Sequence, residues 1–209
     1  MRKTKAKDII MNHLNDNFKE YITIVIIFFI GLTIGVLFIN NMNETQGVQL
    51  TSYIQNFIEN LKTDSIVDKV ALFKQSVLDN LGLVLILWFA GSTVIGIPIV
   101  YGMIAYRGFC LGYTISTLIV SLGIKDGIIF SIITLGFKNI LFVPTIFVLA
   151  ISGIKLYKSI IKDKRKENIK IQVVRHTVIS LIIAVILILT SLIEVYVSTN
   201  ILQYFIKFL

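Results

Sequence analysis

The chain of 209 residues has little cysteine, proline or charge. Its single cysteine, Cys110, excludes a disulfide-stapled scaffold, and its two prolines exclude a collagen-like or proline-rich chain. Only 15% of the residues are charged, whereas 56% are hydrophobic and the mean hydropathy is +0.84. A disordered chain has the opposite balance, and a soluble domain of this size would leave a large apolar surface in water. The composition therefore predicts a protein that lies in the lipid bilayer.

The net charge of +8 raises the question of nucleic-acid binding. The basic residues cluster at the ends of apolar runs, as membrane orientation requires, and they form no basic stripe with interleaved aromatic residues. We therefore expect membrane lipid as a partner and no nucleic acid.

Five apolar runs are long enough to cross a bilayer, which takes about 20 helical residues. They comprise residues 21–39, 81–106, 108–124, 127–154 and 177–197. Lys138 and Glu194 are the only charged residues inside them. The run 127–154 is too short for two crossings, so we interpret it as one tilted or broken span. The sequence thus predicts an all-α integral membrane bundle, a single membrane domain with five transmembrane helices.

Lysine and arginine flank these runs in an alternating pattern. The N-terminal leader, Arg107 and the segment 155–176 hold most of them, whereas the loop 40–80 and the tail hold few. The positive-inside rule then places the N-terminus in the cytoplasm and the C-terminus outside. Segment 155–176 is predicted to be a basic cytoplasmic loop that also attracts anionic headgroups. The first run lacks a cleavage site and is expected to stay as an anchor.

The outer loop 40–80 is predicted to form an amphipathic helical hairpin. Apolar residues of its first helix share one face by their spacing of three and four: Leu50, Tyr53, Ile54, Phe57, Ile58 and Leu61. A capping box at residues 65–68 begins a second helix that runs into the second span. The hairpin either lies on the lipid surface or receives a protein partner. The tail repeats the pattern, with Ser198, Thr199 or Asn200 as the cap of a short interfacial helix.

The charged residues of the spans are the first candidates for function, because an ionised side chain at mid-membrane is costly. Lys138, beside Asn139, either faces a polar cavity or another helix, or extends to the interface. Glu194, near the outer end of its span, either reaches headgroup water or pairs with Lys138 or a polar group of the hairpin. Arg107 is placed in the tight turn between the second and third spans, where it serves orientation.

Glycine and proline mark the packing of the spans. Gly31 with Gly35, and Gly108 with Gly112, match the small-xxx-small pattern that lets helices approach closely.

Two spans are expected to bend. The stretch 91–98, which ends in Pro98, predicts a bend at which Ser92 or Thr93 satisfies a free carbonyl. Pro144 predicts a second kink, six residues after Lys138.

Residues for catalysis are lacking. The chain has no His-Glu-x-x-His pair, no aspartate in a span and no nucleotide-binding glycine pattern. We therefore expect neither an enzyme nor a site for a cofactor or a metal.

Four stretches together resemble the stage II sporulation protein M family of endospore-forming bacteria. They are residues 96–100 (GIPIV), 107–114 (RGFCLGYT), 139–144 (NILFVP) and 194–198 (EVYVS). The resemblance implies a multi-pass protein of the sporulation septum and the engulfing mother-cell membrane. It further implies a complex with stage II sporulation proteins D and P, in which those two hydrolyse peptidoglycan and the M protein is their scaffold.

The functional hypothesis is therefore a non-enzymatic membrane scaffold that anchors peptidoglycan-remodelling partners during forespore engulfment. The alternative is a transporter or permease-like subunit with a polar path near Lys138 and Glu194, since broken spans also mark substrate paths. Homo-oligomerisation is left open by the sequence.

Overall fold

The computed structural model describes residues 11, 14–62, 68–93, 95–162, 166–198 and 200–202, and every regular element among them is helical. The elements, in chain order, are α1 (Phe18–Asn40), α2 (Glu44–Lys62), α3 (Lys69–Gly91), α4 (Gly96–Leu122), α5 (Ile124–Ser131), the π-helical turn π1 (Ile132–Gly136), α6 (Phe137–Lys162), α7 (Lys166–Ile193) and the π-helical turn π2 (Glu194–Ser198).

Five segments of the described chain are long and apolar enough to cross a membrane, which confirms the predicted number. They are Phe18–Asn40, Lys69–Gly91, Gly96–Leu122, Lys138–Ile161 and Ile169–Leu202. The all-helical fold class is confirmed with them.

The boundary between the second and third spans was predicted wrongly. The predicted run 81–106 is cut in two, because α3 ends at Gly91 and α4 begins at Gly96. Arg107 therefore lies inside α4, not in a turn. The apolar composition continues through both helices. Hydropathy therefore placed the break at Arg107, the only charged residue between residues 81 and 124. The actual break falls at glycines and small polar residues, where Ser92 Oγ donates to Trp88 O (2.8 Å) and Thr93 Oγ1 to Ala90 O (3.1 Å).

The basic segment 155–176 is largely helical instead of a loop. Helix α6 continues to Lys162 and α7 begins at Lys166, so both helices extend beyond their predicted apolar runs. Charged residues continue a helix readily because their long side chains reach water while the stems cover apolar surface. The run 127–154 is helical throughout and comprises most of α5, the π-helical turn π1 and the first two thirds of α6.

The core lies where α3, α4, α6 and α7 meet, with α1 packed along α4. Each of these five helices contributes at least one side chain that is almost fully buried: Ile24, Leu87, Ile104, Ile146 and Leu187. Gly123, at φ 83°, allows the chain to reverse between α4 and α5, since only glycine adopts that backbone conformation freely.

Helix α2 packs against the end of α4. Its Ile58 joins Leu118, Phe130 and Leu202 in a second apolar cluster, and Ile54 packs beside them. Asp68 caps the N-terminus of α3, because its carboxylate accepts from the backbone N–H groups of Val70 and Ala71. The helix then continues without a break into its span. Of the predicted capping box only residue 68 is described. The basic leader at residues 1–10 and the tail beyond residue 202 also lie outside the described residues.

Candidate functional site

An ion pair joins the two charged residues that the sequence places inside apolar runs. Lys138 Nζ lies 2.7 Å from Glu194 Oε1. The side chains of Lys138 and Glu194 are 22% and 29% exposed, so the rest of the protein covers most of the surface of both. Because each charge compensates the other, pairing lowers the free-energy cost of holding two charged side chains within membrane-spanning segments.

Two π-helical turns position this pair. Turn π1 ends two residues before Lys138, and Glu194 is the first residue of π2. A π turn widens the helix locally. Two side chains donate to main-chain carbonyls in and just before π1: Asn139 Nδ2 to Leu135 O (2.8 Å) and Thr134 Oγ1 to Phe130 O (2.7 Å). Such turns occur frequently at functional sites.

Glu194 also anchors a buried polar network between α3 and α7. Its Oε2 accepts a hydrogen bond from Ser76 Oγ at 2.5 Å, and Ser76 Oγ lies 3.1 Å from Ser191 Oγ. Ser191 Oγ accepts from Asn80 Nδ2 at 2.8 Å. Asn80 and Ser191 are at most 1% exposed. Sequence reasoning missed these three residues, although the spacing of four between Ser76 and Asn80 places both on the inner face of α3.

Arg107 faces the same region from α4. Its guanidinium carbon lies 5.0 Å from the centre of the Phe142 ring, within cation–π range. Its Nε is buried and has no hydrogen-bond partner among the described residues. Arg107, Lys138, Asn139 and Glu194 all line one cavity of about 130 Å³. The structure thus collects one guanidinium, one ammonium and one carboxylate around a small space inside the bundle.

The two glycine motifs face one another across the α1–α4 contact. A Cβ at Gly31 would lie 2.1 Å from Ala105 O, and one at Gly35 2.3 Å from Phe109 O. From the other side, a Cβ at Gly108 or Gly112 would lie 2.1 Å from a carbonyl oxygen of α1. These four glycines therefore let the two backbones touch, as the small-xxx-small pattern predicts for such helices.

Neither proline lines the cavity of Arg107, and both side chains are exposed. Pro98 is the third residue of α4, where a missing N–H costs no helical hydrogen bond. Pro144 lies inside α6 and removes the hydrogen bond that Ile140 O would accept.

A second polar cluster surrounds His176, which the sequence placed in a cytoplasmic flank. The residue is only 1% exposed, and its Nδ1 lies 2.9 Å from Ser152 Oγ. Its Nε2 lies 3.3 Å from Trp88 O. Two glycines, Gly91 and Gly153, meet beside the ring and make room for it. Sequence reasoning missed this position because α7 begins eleven residues earlier than its apolar run suggests.

No group of three or more His, Cys, Asp or Glu side chains within the described ranges is arranged to hold a metal ion.

Five long apolar helices with a charged cluster among them are typical of a multi-pass α-helical membrane protein. The family model of stage II sporulation protein M matches residues 24–199, and the chain belongs to this family. The match confirms the resemblance and includes Arg107, Lys138 and Glu194. A search of curated proteins and a search of solved structures each found no match for the chain. The chain is thus a sporulation-related membrane protein.

Proposed function

We propose that this protein is a non-enzymatic membrane scaffold of the sporulation septum. In this role it anchors stage II sporulation proteins D and P at the engulfing mother-cell membrane, where those partners remodel peptidoglycan. Membership of the sporulation family supports the setting. The way α2 is held on the bundle supports the anchoring role.

One side of α2 is fixed and a neighbouring side is open. Ile54 and Ile58 pack onto the cluster formed with Leu118. Tyr53 and Phe57, one turn apart on the adjacent side, remain 68% and 44% exposed. A pair of exposed aromatic side chains on a helix that packs against the bundle is suited to bind a protein, because aromatic residues supply much contact area at low entropic cost. This exposed pair is the observation that carries the proposal.

The hydrogen-bonded core supports the same role. Glu194 connects α6 through Lys138 and α3 through Ser76. Glycine contacts join α1 to α4 over two helical turns. Both features fix helices relative to one another, which is what a platform for partners needs.

Co-purification from sporulating cells in mild detergent tests the proposal. The tagged wild-type chain is expected to recover proteins D and P, and the double variant Tyr53→Ala/Phe57→Ala to recover little of either. Val48→Ala is the matched control, since Val48 is also exposed on α2, at 66%, but points to the other side of the helix.

Two results would overturn the proposal. One is failure of the wild type to recover either hydrolase while a deletion strain engulfs normally. The other is equal loss of the partners in the Val48→Ala control, which would show that the aromatic side of α2 has no special part.

A further inference from the structure

Within the described part of the chain, no carboxylate forms an ion pair with Arg107. Arg107 lies about 16 Å along α4 from Gly96, well inside a membrane-spanning segment. The Phe142 ring covers the face of the guanidinium but accepts none of its in-plane hydrogen bonds. Its Nε is buried without a partner in the part of the chain that the structure describes. An anion beside it would stabilise a cation held in this way.

The cavity beside Arg107 has an excess of positive charge. Lys138 and Glu194, which also line it, form an ion pair at 2.7 Å and neutralise each other. The second oxygen of Glu194 is engaged by Ser76. Asp79 is the other carboxylate near Arg107, but it is exposed, accepts from Gln75 and does not line the cavity. The cavity, at about 130 Å³, has room for a small anionic group.

An apolar groove adjoins this cavity. It has a volume of about 330 Å³, and Leu111, Leu135 and Asn139 line both spaces. Its other walls include Ile115, Ile128 and Ile132. The only hydroxyl among its lining residues, that of Ser131, donates to Gly127 O. A cationic cavity that continues into an apolar groove matches an amphiphile with an anionic head and a hydrocarbon chain.

We propose that this composite pocket binds one lipid phosphate, with the phosphate at Arg107 and an acyl chain in the groove along Leu111 and Ile128. Arginine binds phosphate oxygens through paired N–H donors. The groove distinguishes a lipid from a free anion, because inorganic phosphate would leave it unfilled. This site is independent of the proposed surface on α2, so either proposal can fail without the other.

Native mass spectrometry of the detergent-purified chain tests the site, with phosphatidylglycerol and diacylglycerol of equal chain length as probes. We expect one phosphatidylglycerol to be retained and diacylglycerol to bind much more weakly. Arg107→Gln should lower phosphatidylglycerol affinity by about tenfold or more, because it removes charge-assisted hydrogen bonds. Lys125→Gln, the same charge change at an exposed residue of α5, should leave the affinity unchanged.

Further variants and a competition experiment distinguish lipid binding from binding of a free anion and from a loss of folding. Arg107→Lys keeps the charge and should retain more lipid than Arg107→Gln, even if the latter is less stable. Ile128→Trp should fill the groove and weaken lipid binding. Equal binding by wild type and Arg107→Gln overturns the proposal. Full displacement of the lipid by inorganic phosphate, with Ile128→Trp without effect, also overturns it, because the site would then take a free anion.

Discussion

At the scale of single residues, the fold is organised around one carboxylate. Glu194 accepts from the ammonium of Lys138 and from the hydroxyl of Ser76, so a single side chain joins three helical segments. Loss of its ionic partner leaves a charge in an apolar setting, which costs more than loss of an ordinary contact. The stability of the bundle should therefore respond strongly to changes at this residue and its partner.

Lys138→Met is expected to lower the free energy of unfolding in detergent by on the order of 1–3 kcal/mol, since it strands the carboxylate of Glu194. The double variant Lys138→Met/Glu194→Gln should recover part of this loss because no charge remains unpaired. Thermal unfolding measures both, with the exposed Lys125→Met as control. A double variant no more stable than Lys138→Met would contradict the ion pair.

The ion pair was foreseeable from the sequence, because two opposite charges within apolar runs favour each other as partners. Arg107 was placed wrongly, since an arginine between apolar stretches is ordinarily a turn residue. Asn80, Ser191 and His176 were not identified at all. A lone polar residue in an apolar helix has no signal that tells a buried partner from a surface position.

At the scale of helices, close approach is decided by glycine. Helices α1 and α4 meet backbone to backbone at four glycines, whereas Gly102, also on α4, has open space where a Cβ would go. The sequence pattern contains both kinds of glycine and predicts the close contact only through the spacing of four. This difference supplies a matched pair of variants.

Gly108→Ala should lower the free energy of unfolding by about 1–3 kcal/mol, because its Cβ would lie 2.1 Å from Phe28 O and the helices would have to separate. Gly102→Ala should be neutral or raise it by up to about 1 kcal/mol, since alanine favours the helix. Thermal unfolding of the two variants in one detergent makes the comparison. Equal destabilisation of both would contradict the backbone contact.

The corrected helix boundary has its own test. In a Cys110→Ser background, Ile95→Cys should react with a membrane-impermeant maleimide applied from one face, because Ile95 lies in the turn and is 80% exposed. The variant Arg107→Cys, whose cysteine lies inside α4, should not react with the maleimide from either face. Reaction at 107 with protection at 95 would restore the boundary that hydropathy suggested.

At the scale of the whole molecule, the number of helices followed from apolar length and their arrangement did not. Apolar length predicts helices because the bilayer requires internally satisfied backbone groups. The position of a break in a continuous apolar stretch depends on local side-chain hydrogen bonds, such as those of Ser92 and Thr93 to main-chain carbonyls. Their contribution to the free energy is small compared with that of apolar burial. The π-helical turn π1 and the placement of α2 on α4 depend on packing between distant segments, and no periodic or hydropathy pattern predicts them.

A bundle of five membrane-spanning helices crosses the bilayer an odd number of times, and reporters fused to the two ends test this directly. A fluorescent protein that matures only in the cytoplasm should be active at the N-terminus, and alkaline phosphatase, active only outside, at the C-terminus. The exchanged fusions should be inactive. Activity of one reporter at both ends would place the termini on the same side and contradict a bundle of five membrane-spanning helices.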